Sequence, residues 1–182
     1  MTQSASIESA IGQPKIILRV PGIAGPPSPA PTKEVGVMYL KNNTTPTGIP
    51  SVNARAVVNG TMQTGTLLNF AKDTGTNSLR YLGPGGLFHV IATFSFRDGS
   101  QNVCGFYIGR NQDISSPLDP NADRISESEI YCNSGSSSNQ PRTAAIQTIC
   151  QLNTDDRLFF IVQNQTAAVP ITVEFLKFVA IG

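Results

Sequence analysis

The sequence is short of charge. Only 14% of its 182 residues are Asp, Glu, Lys or Arg, against roughly 25% in an ordinary globular protein. The formal net charge is +1. A chain this close to neutral carries no broad electrostatic footprint for nucleic acid or an anionic membrane. Tryptophan is absent and histidine occurs once. A single histidine excludes sites with two or more His ligands, unless subunits share them across a symmetry axis. Cysteine occurs three times, at Cys104, Cys132 and Cys150. The odd count and the lack of a C-x-x-C spacing indicate neither a zinc ribbon nor a paired disulfide framework. One pair can still form, but the expectation is three buried free thiols and assembly in a reducing compartment. No apolar run approaches the roughly 20 residues needed to span a bilayer. The N-terminus MTQSASIESAIGQPK has no basic region followed by an apolar stretch, so no secretion signal is expected.

What is present points to an all-β protein. The hydrophobic share is 40%, enough for a core, and there are 16 Gly and 13 Pro. Asn, Thr and Ser are abundant. Turn formers and β-branched residues fit short strands whose surface is solvated by amides and hydroxyls.

Residues 1–34 differ from the rest. Ile7, Ala10 and Ile11 fit one face of a short helix, with Ser4 or Ser6 as its cap. KIILRV, from Lys15 to Val20, is a short apolar β-type run, and five prolines follow between Pro21 and Pro31. Proline at that density forbids helix and central strand and favours polyproline II. The segment reads either as a flexible linker or as an anchoring arm. The second reading places the contacts at Ile16, Ile17, Leu18 and Val20, because an exposed apolar strand is otherwise an aggregation hazard.

From Val35 onward, eight to ten short strands are expected, with turn signals every eight to twelve residues. They are VGVMYL, ARAVVN, TGTLLNFA, SLRYL, LFHVIATFSF, NVCGFYIGRN, RISESEIYC, TAAIQTICQL, RLFFIVQN and ITVEFLKFVAIG. Asn59-Gly60, Gly83-Pro84-Gly85-Gly86, Arg97-Asp98-Gly99-Ser100 and Thr154-Asp155-Asp156 mark turns. An antiparallel sandwich or barrel follows. In the last strand Ile171, Val173 and Phe175 alternate with polar residues, and then Leu176 to Ile181 is apolar on both faces save for Lys177. A strand apolar on both sides needs a cover, and another subunit is the simplest one.

The order of motifs resembles a known family. Leu79-Arg80-Tyr81-Leu82-Gly83-Pro84-Gly85-Gly86-Leu87-Phe88-His89-Val90 resembles the "L-x-Y-x-G-x-x-x-x-F-x-V" hairpin of TNF-like jelly rolls. These include the complement globular head and structural proteins of phages and large DNA viruses. Phe106 to Asn111 resembles "F-x-I-x-K-N-G", and Asp123-Arg124-Ile125-Ser126 resembles "S-R-I-S". Leu152 with Asp155-Asp156-Arg157-Leu158 resembles "L-x-x-G-D-x-I". Val162 to Thr166 resembles "V-x-N-x-T", and Ile171 to Phe175 with Ala180-Ile181-Gly182 resembles the closing "I-T-V-x-x-x-x-L-x-A-I-G". The resemblance covers about residues 35–182. It implies a TNF-like jelly roll and a homotrimer, with no catalytic residues. The implied trimer axis is lined by side chains of the last strands, for which Tyr107, Phe159, Phe175 and Phe178 are the candidates. There are departures: Asp155 stands where the family has Gly, the loops at 111–122 and 133–142 are long, and no collagen or coiled-coil stalk precedes the domain.

Other candidate chemistry is thin. His89 lies mid-strand between Phe88 and Val90. It reads as an ordinary strand residue, or in a trimer as a pH-sensing or axial group. Asp113, Asp119, Asp123 and Asn121 offer oxygen ligands but fit no EF-hand, so a solvated loop is expected and no metal is assigned. Glu127 and Glu129 share a strand face, as a carboxylate pair would, without an aromatic sugar platform nearby. No G-x-S-x-G elbow or P-loop occurs. Asn42, Asn43, Asn59 and Asn164 open N-x-S/T sequons that read as plain loops. A metal enzyme on a jelly-roll scaffold needs several His ligands, which one histidine does not supply.

Two functional readings remain. The first is a non-enzymatic viral structural protein without cofactor: residues 35–182 form a homotrimeric jelly-roll head, and residues 1–34 fix it to a virion assembled in the host cytoplasm. It would act as capsid decoration, spike or fibre head. Its partners would be capsid or fibre proteins and, for adhesion, host-surface glycans or proteins; neither nucleic acid nor membrane insertion is expected. The alternative is a soluble lectin-like carbohydrate-binding module with no virion role.

Overall fold

A computed structural model describes residues 4–6, 17–19, 33–73, 75–99, 101–112, 117–133 and 140–182. The chain divides into two compact units, Met1–Thr32 and Lys33–Gly182. In the first, β1 (Ser4–Ser6) pairs antiparallel with β2 (Ile17–Arg19), so that Ser6 faces Ile17 and Ala5 faces Leu18. Part of the apolar KIILRV run is therefore a paired strand, and Ser4 and Ser6 lie in its partner. The expected helix at Ile7 to Ile11 lies outside the described residues.

The second unit is a sandwich of two antiparallel sheets. Sheet one orders β11 (Arg142–Leu152), β8 (Gly86–Arg97), β13 (Thr172–Ile181), β3 (Val35–Leu40) and β5 (Gln63–Leu68). Sheet two orders β10 (Ile130–Asn133), β9 (Val103–Asn111), β12 (Arg157–Asn164), β7 (Ser78–Tyr81) and β6 (Phe70–Lys72), with β4 (Arg55–Val57) also on β12. The chain changes sheet after β3, β4, β5, β7, β8, β10, β11 and β12. The partners β8–β13, β13–β3 and β9–β12 are distant in sequence. This is the path of a jelly roll, as the turn spacing and motif order led one to expect. Among the described residues, no helix is long and apolar enough to cross a membrane.

Alternation decides which residues enter the core. In β8, Phe88, Val90, Ala92, Phe94 and Phe96 are all fully buried, because every second residue faces the opposite sheet. Met38 and Leu40 of β3, Phe106 and Ile108 of β9, Leu158, Phe160 and Val162 of β12, and Leu176 and Phe178 of β13 are among the residues that pack with them.

Three expected strands differ in detail. TGTLLNFA is two strands, not one. Asn69 between them has φ 58°, a left-handed conformation that Asn tolerates. The chain crosses there from sheet one to sheet two. RISESEIYC is a strand only from Ile130. Before it, Ser126–Ser128 form a 3-10 turn, in which the Ser128 hydroxyl accepts from the Ile108 amide at 2.8 Å and donates to the Ile125 carbonyl at 2.7 Å. Such side-chain bonds give the backbone an alternative to the ladder. In β13 the register slips between Val173 and Phe175. The bulge turns Phe175 out and Leu176 in, against the simple alternation read from the sequence.

The departure at Asp155 has a local cause. Its φ is 73°, the left-handed region that favours glycine. Arg80 Nε and Nη2 both donate to its Oδ1, at 2.9 and 2.7 Å. A carboxylate partner thus stands where the motif has a residue without a side chain. Asp155→Ala keeps the unfavourable backbone and loses the partner, and is expected to cost about 1–2 kcal/mol. Asp155→Gly loses the pair but relaxes the backbone, and is expected to stay within about 1 kcal/mol of the parent. Urea midpoints of the two variants check this order.

Glu34, at the start of the second unit, locks the first turn of the jelly roll. Its Oε2 accepts from the buried Tyr81 hydroxyl at 2.7 Å, and its Oε1 accepts from Asn69 Nδ2 at 2.8 Å. Burial, and then the Glu34 carboxylate, push the Tyr81 phenol up to about 12. The unfolded chain releases that proton near pH 10, so the folded state binds more protons between pH 10 and 12. Stability from this group is present below pH 10 and falls across that window, by on the order of 2 kcal/mol. In Tyr81→Phe the fall of the unfolding free energy from urea titrations between pH 9.5 and 11.5 is expected to be shallower by about that amount; an unchanged slope sinks the assignment.

Candidate functional site

The outward face of sheet one is open and apolar at one end. Register places Ile149, His89, Ile181, Val35 and Leu68 side by side across all five strands. At about 4.8 Å between strands, the row spans roughly 19 Å. Ile149 is 66% exposed, Leu68 50% and Ile181 38%. The adjoining row holds Ile91, Val179 and Val37. Leu87, 64% exposed, lies beyond the first. Further along, the row of Thr93, Lys177, Tyr39 and Gln63 mixes polar side chains with one half-buried tyrosine. His89 is exposed in the apolar row between Ile149 and Ile181, its Nε2 3.2 Å from Gln147 Oε1. One face of one sheet thus gathers large apolar side chains around a single imidazole.

The residues expected at a trimer axis are not gathered there. Phe178 points between the sheets and is fully buried in the core. Tyr107 and Phe159 are also fully buried, in a small cluster with Ile161 on the outer side of sheet two, packed by Val57 and Leu118. These three have no surface to give to a partner, because the fold of one chain already covers them. Phe175 is 40% exposed, turned outward by the bulge. Of the arm residues, Ile17 and Leu18 are in β2, while Ile16 and Val20 lie outside the described residues. Of β8 and β11 on this face the sequence points only to His89, as an axial group in a trimer, and not to Leu87, Ile91 or Ile149. The signal was present: β8 is apolar at both parities, just as the terminal strand is.

Tyr107 organises the outer side of sheet two. Its hydroxyl donates to Gln163 Oε1 and lies 3.2 Å from the Tyr131 hydroxyl. The guanidinium carbons of Arg55 and Arg124 lie 5.3 and 5.4 Å from its ring centroid, within cation–π range. Burial and a bond to Glu129 raise its pKa against the opposing pull of Arg55. Glu129 is thus engaged with Tyr107, and Glu127 lies in the 3-10 turn, so the two do not form a pair on one strand.

The loop before that turn holds itself together. Asp119 Oδ1 accepts from the Asn121 and Ala122 amides at 2.8 and 3.3 Å. Asp123 Oδ2 accepts from Asn111 Nδ2 and the Asp119 amide at 2.8 and 2.9 Å. These carboxylates close a turn, as Asx motifs do. Asp113 lies outside the described residues. Among the described residues, no three His, Cys, Asp or Glu are grouped so as to hold a metal ion. Beside the loop is an open cleft of about 1030 Å³ lined by Arg110, Gln112, Asp123, Arg124, Glu127 and Gln151, among others. Charges of both signs line it, and its described lining includes no aromatic ring.

No family model matches this chain, and no curated protein does. Among solved structures the chain is similar to murine APRIL, at 12% identity and a TM-score of 0.47, over 80% of this chain and 98% of that one. It is also similar to Eiger TNF from S. frugiperda, at 15% identity and a TM-score of 0.45, over 80% of this chain and 92% of that one. The strand order described above, not these similarities, defines the jelly roll.

Proposed function

We propose that this chain is a non-enzymatic structural protein whose jelly roll associates as a homotrimer through the open face of sheet one. Residues 1–34 fix the trimer to a virus particle as a capsid decoration, spike or fibre head. The observation that carries the reading is the apolar row of Ile149, Ile181, Val35 and Leu68 with Leu87 beside it. A contiguous exposed apolar patch marks an interaction surface rather than ordinary solvent-facing sheet. The low surface charge suits packing against further copies and against neighbouring shell proteins. Weak multivalent adhesion to host-surface glycans or proteins is compatible with the same head. The lectin-like alternative is less well supported, since the described lining of the cleft offers no ring on which a sugar stacks.

Light scattering of the full-length protein coupled to size exclusion tests the assembly. A mass of three chains supports the reading, and one chain at every concentration overturns it. The anchoring arm is tested separately. Replacing Ile16, Ile17, Leu18 and Val20 together by Ser is expected to abolish co-purification with virus particles while leaving the mass unchanged. Retained incorporation removes those residues from the proposal.

A further inference from the structure

Cys104 of β9 and Cys132 of β10 face each other directly in the antiparallel register. Opposed residues of such a pair project to the same side of the sheet, and here that side is the core, where Cys104 is buried and Cys132 packs at its edge. The amide of Gln165 donates to the Val103 carbonyl at 2.8 Å, on the β12 side. The backbone of Cys104 therefore turns to β10, and the cysteines form a hydrogen-bonded pair with Cα atoms about 5.5 Å apart. That separation lies inside the roughly 4.4–6.8 Å that disulfides bridge. Both thiols are free in the structure. Cys150 is in a different place: it sits on β11 opposite Phe88, near Arg110 and Asp156. The neighbours of Cys104 and Cys132 are Asp98 and Arg142.

We propose that Cys104 and Cys132 are the two halves of a cross-strand disulfide that forms when the protein meets a small-molecule disulfide such as oxidised glutathione. Cys132, the more accessible, is the first nucleophile. Its thiolate attacks one glutathione sulfur, the S–S bond of glutathione breaks, and one glutathione thiolate leaves. Cys104 then attacks the Cys132 sulfur of the mixed disulfide, and a second glutathione leaves. Two protein thiols are oxidised, one glutathione disulfide is reduced to two thiols, and the two protons end on those thiols. The Cys104 thiol donates to Asp98 Oδ2 at 3.0 Å, which gives its proton a first acceptor. The new bond closes the segment from Cys104 to Cys132, which contains the Asp119–Asp123 loop and one wall of the cleft. A head that leaves a reducing cytoplasm would gain this staple outside the cell. The inference does not depend on the trimer.

Burial raises both thiols, and Asp98 raises Cys104 further. Because the thiolate is the reacting form, oxidation is expected to be slow at neutral pH and to quicken about tenfold per pH unit between pH 7 and 8.5.

The test is to incubate the full-length native protein with oxidised glutathione and count thiols after denaturation. The expected count falls from three to one, with an intact mass lower by two hydrogens and a peptide linking Cys104 to Cys132. The oxidised protein should melt at higher temperature than the reduced one, since the bond restricts the unfolded chain. Cys132→Ser should lose that rise, and Cys150→Ser should keep it. Cys132 is only half-buried, so its Ser variant suits the test even if Cys104→Ser fails to fold. A retained count of three, a persistent glutathione adduct, or a mapped bond to Cys150 or to another chain each overturns the proposal.

Discussion

Ile149→Asp is expected to convert the assembled protein to monomers. Ile149 stands on the open face of sheet one, directly opposite His89, and is 66% exposed. Its side chain has little to do with the core of its own chain. A surface change of this kind shifts the stability of a single chain by only about 0.5 kcal/mol. In a buried interface the same change introduces an unpaired carboxylate, which costs several kcal/mol at each contact. A symmetric trimer repeats that cost in every subunit. The mass by light scattering should therefore fall from three chains to one, and the thermal transition should drop by the stability that association supplied and lose its dependence on protein concentration. Val52→Asp is the control. Val52 is also an exposed apolar residue, but it lies in a turn whose next residue, Asn53, donates its amide to the Asn164 carbonyl of β12 in sheet two, so its variant should keep the parent mass. An Ile149→Asp protein that stays assembled would move the interface off this face.

Why the sequence revealed the fold but not which of its aromatic side chains are buried within one chain follows from what alternation encodes. A run such as Phe88-His89-Val90 tells which residues share a face, because the period is two. It does not tell which face a neighbouring sheet covers when both parities are apolar. Phe178 and Phe175 show the second difficulty. A bulge inserts one residue and reverses the parity beyond it, and nothing in Ile171-Thr172-Val173-Glu174-Phe175 announces it. Tyr107 and Phe159 were hidden for a third reason. Sheet two is covered on its outer side as well, by Val57 of β4 and Leu118 of a loop, and such long-range coverage leaves no local trace. The Asp155 turn was legible as a turn, but its strained backbone became visible only with Arg80 in place. The facing cysteines needed the register of β9 and β10, which their spacing along the chain does not supply.

Phe106→Ala is expected to be the most destabilising single change among the core aromatics. Phe106 comes from sheet two and meets Phe94 and Phe96 of sheet one, with ring centroids 4.4 and 4.5 Å apart. It also lies near-parallel to Phe160 at 6.1 Å. All four rings are fully buried. Cutting the ring to a methyl loses its transfer free energy and leaves a cavity between two sheets that their ladders hold apart. Such truncations cost about 3–5 kcal/mol, a large part of the roughly 5–15 kcal/mol that holds a domain folded. Phe106→Leu keeps most of the volume and should cost nearer 1–2 kcal/mol. The outward Phe175 offers the contrast, since Phe175→Ala removes no core contact and should cost about 0.5 kcal/mol or less in the single chain. Urea unfolding of the four proteins gives the comparison directly. If Phe106→Ala lost less than Phe175→Ala, the two sheets would not be packed through these rings. A further cycle with Phe94→Ala should be non-additive by about 0.5–3 kcal/mol, because the two rings share one contact and one cavity.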